Sequence, residues 1–351
     1  MIGAETNEAT PELPLWDRSF NLRTSGGYND NLLLSPDARE KSAFFSVGLD
    51  FTLFRLPLDG KEFTLFLTDE YTRYPDGHEL DHELFGLALA RFKIDAGAWH
   101  PGVDLQYFYQ DQVIDASITE TNSGPTPVEG HNLNLRPSVR RDLPNGFWLE
   151  SGAAVSRQFY RKPLDDYWEG GPRLTAGRDY GFKSSIALSY RWMLRGYDSR
   201  EQVTRTGLGL PGTSLQFQQN EIETTWDHNF DALRRWRSAT KLGVLWNNDN
   251  GSGYFNFVRY QVSEQLRFVA KTWEAKAQAK FANYDFTRQS ARPADPASRE
   301  KQVFAVTLRA EKKVHSGLKV FTEYTFERAT SNRPTDEYLA NKVAAGVDWE
   351  F

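Results

Sequence analysis

The sequence predicts an all-β protein whose strands form a single antiparallel, up-and-down transmembrane β-barrel. Three observations lead to this fold class. Apolar and polar residues alternate along many segments, short and long connections alternate between those segments, and the chain ends on a strand with aromatic residues on its apolar face. We count about sixteen strand-like segments, with an error of about two, and an even number is expected of such barrels.

The alternation of side chains is clearest in four segments. Residues 45–53 and 186–194 carry an apolar side chain at every second position, and residues 273–281 and 318–326 add lysine and glutamate on the opposite face. In a helix these sets would be spread around the axis, so the pattern predicts strands with two different faces. The weakest strand predictions are 131–140 and 215–227, which are unusually polar.

The connections between these segments form a second regularity. Short links rich in Pro, Gly, Asn or Asp, which predict tight turns, occupy residues 57–60, 99–102, 142–146, 179–181 and 313–317. Longer links occupy residues 31–42, 74–83, 113–131, 161–171, 196–213, 287–299 and 328–341, and the link 247–253 is shorter. This alternation predicts short periplasmic turns, long extracellular loops and both chain ends on the periplasmic side.

Composition excludes several other classes of protein. The chain is 25% charged, its mean hydropathy is -0.61, and it has no run of about 18 apolar residues, so no transmembrane helix is predicted. An aromatic content of 14% suits strands that meet the two membrane interfaces. The absence of cysteine excludes disulfides and thiolate metal sites, and a net charge of -5 argues against a nucleic-acid partner. We predict no cofactor.

The chain is predicted to contain one barrel, residues 16–351, after a short periplasmic tail, residues 1–15. The last strand places Val347, Trp349 and Phe351 at alternate positions and stops on the phenylalanine. This ending resembles the assembly signal of Gram-negative outer-membrane β-barrels. The resemblance implies a position in the outer-membrane bilayer and recognition of the last strand by the assembly machinery.

One string of residues has the form of a catalytic metal motif. His78, Glu79 and His82 match H-E-x-x-H, in which two histidines one helical turn apart bind zinc. The string follows a turn signal, Pro75-Asp76-Gly77, and leaves room for only about one helical turn, so we interpret it as a solvated acidic loop. The other histidines do not gather in the predicted topology, and we therefore predict neither a barrel-wall hydrolase nor any other enzyme.

Charged residues of both signs are predicted to face the interior. The predicted pore-lining residues are Asp50, Arg91, Lys93, Asp95, Glu150, Arg191, Glu274, Lys276, Lys280, Arg309, Glu323 and Glu327. Sixteen strands enclose a space too wide for side chains to fill, so water or an inward-folded loop should occupy it. Loops 113–131 and 196–213 are long enough to constrict it. The alternative is a closed interior in which these charges pair with one another.

Aromatic residues near the predicted outer strand ends suggest an interfacial girdle, namely Tyr107, Tyr109, Tyr160, Trp168, Tyr197 and Tyr284. A track on which sugars stack would require these rings to face the interior instead.

From about Trp16 to Phe351 the chain resembles single-chain outer-membrane barrels of the porin type. The opening Gly26-Gly27-Tyr28-Asn29-Asp30-Asn31-Leu32-Leu33-Leu34-Ser35 is similar to the first strand and loop of barrels in surface-polysaccharide and surface-protein export systems. Our leading expectation is a channel that passes small hydrophilic solutes through a hydrated lumen of mixed charge. The alternatives are an export conduit, which could have a periplasmic partner, and a structural or adhesive barrel.

Overall fold

The computed structural model describes residues 14–37, 39–119, 125–161, 164–292 and 295–351, which form one closed antiparallel barrel of sixteen strands. Each strand pairs with its neighbours in sequence, and β16 closes the ring on β1. The strands are β1 Trp16–Asn29, β2 Ser42–Arg55, β3 Lys61–Arg73, β4 His82–Ile94, β5 Trp99–Asp115, β6 Pro125–Asp142, β7 Phe147–Tyr160, β8 Tyr167–Tyr180, β9 Ser184–Tyr197, β10 Gln216–Asn229, β11 Trp236–Asp249, β12 Phe257–Val269, β13 Trp273–Arg292, β14 Asp295–His315, β15 Leu318–Ser331 and β16 Tyr338–Glu350.

The predicted fold class and strand number are therefore confirmed. Both of the polar segments form strands, as parts of β6 and β10. The predicted tail, residues 1–15, lies outside the described residues except for Pro14 and Leu15, and its periplasmic position stays a prediction.

The outer face of the barrel is apolar. Side chains such as Phe45, Leu188 and Leu242 are about half exposed, and they recur at every second position around the ring. A continuous apolar belt of this kind is stable in lipid but not in water. At one end of the barrel the belt is bordered by tryptophans that lie at the beginning or the end of a strand, namely Trp16, Trp99, Trp236, Trp273 and Trp349. Among the described residues no helix is long and apolar enough to cross a bilayer.

The seam between β1 and β16 requires glycine. A Cβ atom at Gly27 would lie 2.0 Å from the Val343 carbonyl oxygen, and one at Gly346 would lie 2.2 Å from that of Thr24. Any larger residue at these two positions would push the first and last strands apart. The glycines therefore allow the close backbone approach that closes the ring.

Connections at the two ends of the barrel differ in length. One end, here the turn end, has links of two to six residues, at 56–60, 95–98, 143–146, 181–183, 230–235, 270–272 and 316–317. The other, the loop end, carries most of the longer links, at 30–41, 74–81, 116–124, 161–166, 198–215, 250–256 and 332–337. In outer-membrane barrels the turn end is periplasmic and the loop end extracellular.

Some predicted connections are wrong. The tight turn expected at residues 99–102 lies within β5, and the turn occupies residues 95–98 instead. Residues 287–299 were expected to form a long link, but β13 continues to Arg292 and β14 begins at Asp295. The two strands stay paired beyond an irregularity between Asp285 and Ser290. Pairing between neighbouring strands can continue above the membrane, where the alternation of apolar residues is no longer required, so alternation alone misses these strand ends.

The pair β5–β6 leaves the barrel wall near the loop end. β5 pairs with β4 only as far as Asp111, and β6 pairs with β7 only from Gly130, yet β5 and β6 remain paired with each other up to Asp115 and Pro125. We call its described residues, 112–119 and 125–128, the crossing hairpin. Its tip contacts β13 and β14, on the far side of the ring, so the hairpin spans the interior.

Candidate functional site

The tip of the crossing hairpin is held by a fully buried arginine. Arg299 of β14 donates from Nη1 to the Ser117 carbonyl oxygen at 2.8 Å and to Gln289 Oε1 at 2.9 Å. Its Nε donates to Asp336 Oδ2 at 2.7 Å, and both partners of this ion pair are 0% exposed. Because buried charges are tolerated only when paired and hydrogen-bonded, these contacts fix the hairpin tip on the opposite wall.

Further contacts reinforce this crossing point. The buried Lys301 forms an ion pair with Asp115 and donates to Ser117 Oγ at 2.9 Å. Ile118 packs against a buried cluster on the facing wall that includes Phe286. The guanidinium of Arg200, from the 198–215 loop, donates to the Thr119 carbonyl oxygen. The hairpin is thus attached by charge, hydrogen bonds and apolar packing together.

Side chains also fill part of the interior at the loop end. One buried cluster joins the 198–215 loop to the wall and consists of Tyr197, Val203, Leu215, Phe217 and Phe255. The predicted girdle is correct for Tyr107, Tyr109 and Trp168 but wrong for Tyr160, Tyr197 and Tyr284, which face inward. Loops cover the interior at the loop end. The inward-facing rings therefore pack beneath these loops and are not in contact with a water-filled space.

A charged cavity of ≈ 500 Å³ lies against strands β4 to β10, and we call it the β4–β10 cavity. Arg91 meets Asp104 there through two hydrogen bonds of 2.9 and 3.1 Å. Arg191 forms an ion pair with Glu221, and Glu221 forms a second ion pair with Arg259 at 2.9 Å. The predicted residues in this cavity are Arg91, Lys93, Glu150 and Arg191.

A second charged cavity, of ≈ 400 Å³, lies against β12 to β16 and β1, and we call it the β12–β16 cavity. Arg309 contacts Glu311 at 2.6 Å and Glu323 at 3.2 Å, and Arg267 contacts Glu274 at 2.6 Å. The predicted residues in this cavity are Glu274, Lys276, Arg309 and Glu323. The two cavities place mixed charges on opposite parts of the barrel wall.

The remaining predicted pore-lining residues are more dispersed. Asp50 contacts Arg23 at 2.9 Å, and Asp95 lines a cavity of ≈ 350 Å³ at the turn end. Lys280 lies on the same face of β13 as Glu274, while Glu327 accepts a hydrogen bond from the Tyr338 hydroxyl. These positions are compatible with the predicted lining, but a role in a conducting pore stays a prediction.

Sequence reasoning missed several charged residues of the β4–β10 cavity, including Arg136, Glu169 and Arg173. The signal that could have found them is strand parity, because they alternate with outward residues such as Leu135 and Leu174. Residues 131–140, which include Arg136, were predicted as a strand but considered weak because they are unusually polar, and Glu169 was assigned to the link 161–171.

The H-E-x-x-H string does not adopt the helix that a zinc site of this type needs. The backbone N–H groups of His78 and Glu79 donate to Glu40 instead. His82 contacts Asp111 at 3.4 Å, and hydrogen bonds from His82 and Arg73 hold the pKa of the Asp81 carboxyl below its usual range. In the part of the chain that the structure describes, no group of three or more His, Asp or Glu side chains is arranged to hold a metal ion.

Comparison with known proteins relates the chain to solved structures only. No family model and no curated protein matches it. Acinetobacter baumannii OccAB1 is similar in fold, with a TM-score of 0.51, 8% identity and 99% of each chain covered. OccAB3 from the same species has a TM-score of 0.47 and 10% identity over 96% of this chain and 99% of its own. A structure described as a bacterial polysaccharide outer membrane secretin has a TM-score of 0.46 and 10% identity, over 95% of this chain and 98% of its own.

The closed ring leaves no unpaired strand edge, and every strand is longer than the about 9–11 residues that cross a bilayer. The apolar belt and the tryptophans that border it are typical of outer-membrane barrels. OccAB1 shares this fold over the whole chain. The protein is a sixteen-stranded outer-membrane β-barrel.

Proposed function

We propose that the protein is an outer-membrane channel that passes small hydrophilic solutes through a hydrated lumen of mixed charge. The observation that carries this proposal is the pair of charged cavities on opposite parts of the wall. A barrel stabilised only by a packed interior would have no need of so many charged side chains, because their burial is unfavourable unless each is paired.

The crossing hairpin supports a small solute over a polymer. It spans the interior at the loop end and divides the space there, so any passage is narrower than the ring of strands. The inward rings near this level, such as Tyr197 and Phe217, are 6% and 0% exposed and do not form an open stacking surface. Export of a polymer, with or without a periplasmic partner, would require this crossing point to open.

The test is single-channel recording of the refolded protein in planar bilayers. We expect a stable conductance with mild ion selectivity, because charges around an aqueous pore are screened over about 8 Å at physiological salt. Selectivity should weaken as salt rises. A folded protein that never conducts would contradict the channel and favour a structural or adhesive barrel.

Two sets of substitutions test the predicted lining. Replacing Arg91, Lys93 and Arg191 with glutamine should shift the reversal potential toward cations, and replacing Glu274, Glu323 and Glu327 should shift it toward anions. Arg259 still pairs with Glu221 in the first variant, so this carboxylate is not left without a partner. If neither variant changes selectivity while both conduct, these residues do not line the conducting path.

We also propose that Phe351 acts in assembly rather than transport. Its ring lies 4.5 Å from that of Trp349 and 5.7 Å from that of Phe20, and its N–H donates to the Phe20 carbonyl oxygen at 2.9 Å. The residue thus sits at the lipid-facing seam, where assembly machinery could reach it during closure.

Deleting Phe351 should lower the amount of folded protein in the outer membrane of cells, while refolding into detergent and conductance stay near those of the wild type. The measurement is the heat-modifiable band of membrane fractions. Phe147→Ala is the control, because it removes another exposed aromatic at the turn end, away from the chain terminus. Equal loss in both variants, or no loss in the deletion, would contradict a terminal assembly signal.

A further inference from the structure

A carboxyl group lies in the middle of the lipid-facing belt on β12. The outward-facing residues of this strand are, in order, Tyr260, Val262, Glu264, Leu266 and Phe268. The ring of Phe268 lies 4.5 Å from that of Trp236, at the border of the belt near the turn end. Glu264 therefore faces the hydrocarbon of the bilayer and not its headgroups. A charged side chain at this depth is unfavourable on the lipid face of a barrel.

Two hydroxyl groups of the neighbouring strand satisfy part of this carboxyl group. Ser238 Oγ donates to Glu264 Oε1 at 2.6 Å, and Thr240 Oγ1 donates to Oε2. Both hydroxyls stand on the outward face of β11, between Trp236 and Leu242. Among the described residues, no basic side chain forms an ion pair with Glu264. A carboxylate offers about four acceptor positions, so some of them face lipid, and acyl chains have no donors.

We call Ser238, Thr240 and Glu264 the lipid-facing polar patch, and this patch is complementary to itself. Two copies in one membrane have the same orientation, so a two-fold axis that relates them is perpendicular to the membrane plane. If the axis passes between β11 and β12, β11 of one copy faces β12 of the other. The hydroxyls of each copy then face the carboxyl group of the other copy, and the two carboxyl groups do not meet.

A recess in the outer wall lies beside the polar patch. Ala275 and Ala277 of β13 and Ala310 of β14 line an apolar cavity of ≈ 530 Å³ on the lipid-facing side. Small side chains at such a surface allow a neighbouring membrane segment to approach closely. In the two-fold arrangement β13 faces β10 of the other copy, where Trp226 is exposed to lipid. A protruding ring and a recess are complementary in shape.

We propose that a second copy of this chain covers the polar patch, in a two-fold dimer whose interface is formed by strands β10 to β13. Lipid supplies no donors to Glu264, and a different membrane protein would need matching hydroxyls at the same depth. A second copy has these hydroxyls by symmetry. Dimer formation does not require a conducting lumen, so this inference stands apart from the proposed channel.

The test is cross-linking of the purified protein in lipid vesicles, and the absence of cysteine from the chain makes it specific. Leu266→Cys places a thiol beside Glu264. Leu105→Cys places one on β5, on another part of the ring, where the side chain is also exposed to lipid. We expect a bismaleimide to join two chains that carry Leu266→Cys and to give little product with Leu105→Cys. Denaturing gels measure the cross-linked fraction.

Further substitutions in the Leu266→Cys chain separate the interface from the folding of the barrel. Glu264→Leu should weaken dimerisation by at least about tenfold, because symmetry doubles each lost hydrogen bond. The heat-modifiable band should remain, since the change removes a charge from lipid. Ala277→Trp fills the recess and should weaken dimerisation without a change in charge. The matched control is Asp69→Leu, which removes another outward-facing carboxyl, beside Tyr71 on β3, and should leave cross-linking unchanged.

The two-fold interface is supported if cross-linking is confined to Leu266→Cys and is lost with both Glu264→Leu and Ala277→Trp. Equal cross-linking with Leu105→Cys, or cross-linking that survives these two changes, would overturn it. A folded protein that gives no cross-linked product in vesicles would show that lipid or a different protein covers the polar patch, and the dimer would be wrong.

Discussion

Replacing Arg299 with alanine is expected to lower the free energy of unfolding by about 3–5 kcal/mol, because the fully buried Asp336 carboxylate then has no counter-charge. The same change removes the hydrogen bonds to Ser117 and Gln289. The measurement is urea unfolding of the protein in lipid vesicles, followed by tryptophan fluorescence. The crossing hairpin should also become accessible to protease before the barrel unfolds.

The control for this prediction is a solvent-exposed ion pair, which also joins an arginine to a carboxylate. Arg161 contacts Glu129 at 2.8 Å, and its side chain is 80% exposed. Arg161→Ala should change the free energy of unfolding far less than Arg299→Ala does, because exposed pairs contribute little. A second variant, Arg299→Met/Asp336→Leu, removes both buried charges and should recover much of the loss. Equal effects at Arg161 and Arg299 would show that the buried pair does not hold the hairpin.

The barrel itself could be predicted because its physical cause repeats along the chain. Every strand that meets lipid must place apolar side chains at alternate positions, so the segments around Phe45, Leu188 and Leu318 reveal their period without knowledge of their neighbours. The short links can be predicted from local sequence as well, because they contain residues that favour turns. Neither signal depends on contacts between distant parts of the chain.

The interior at the loop end could not be predicted, because its contacts are distant in sequence. Ser117 and Arg299 are 182 residues apart, and nothing local to either position indicates the other. Parity correctly sends Tyr197 and Tyr284 to one face of their strands, but it does not say whether water or a folded loop meets that face. The same limit applies to Lys301, whose alternation looks like that of a pore-lining residue although its side chain is 0% exposed.

Arg136 and Arg173 illustrate a different limit. Each stands beside a proline, Pro137 and Pro172, and a proline within a segment argues against an interior strand when the sequence is considered alone. In the barrel both prolines belong to strands, and the arginines beside them face the β4–β10 cavity. The closed ring supplies the pairing that keeps these segments extended, and this effect is not visible locally.

Removing the tip of the crossing hairpin is expected to raise the single-channel conductance severalfold. The variant replaces residues 113–127 with two glycines, so that β5 and β6 are joined by a short turn near the rim. Conductance follows the narrowest cross-section of the path, and the hairpin is the segment that spans the interior at the loop end. The comparison is made at equal salt with protein that shows the normal heat-modifiable band.

Shortening the exposed part of another loop provides the control. Deleting residues 204–208, where Leu208 is 68% exposed, trims the 198–215 loop without removing Arg200 or its contact with the hairpin, and should leave conductance nearly unchanged. The hairpin deletion should also weaken ion selectivity, because in a wider path more ions pass beyond the distance of about 8 Å over which wall charges act. If the deletion folds and its conductance equals that of the wild type, the narrowest point lies elsewhere, and the charged walls nearer the turn end would then control passage.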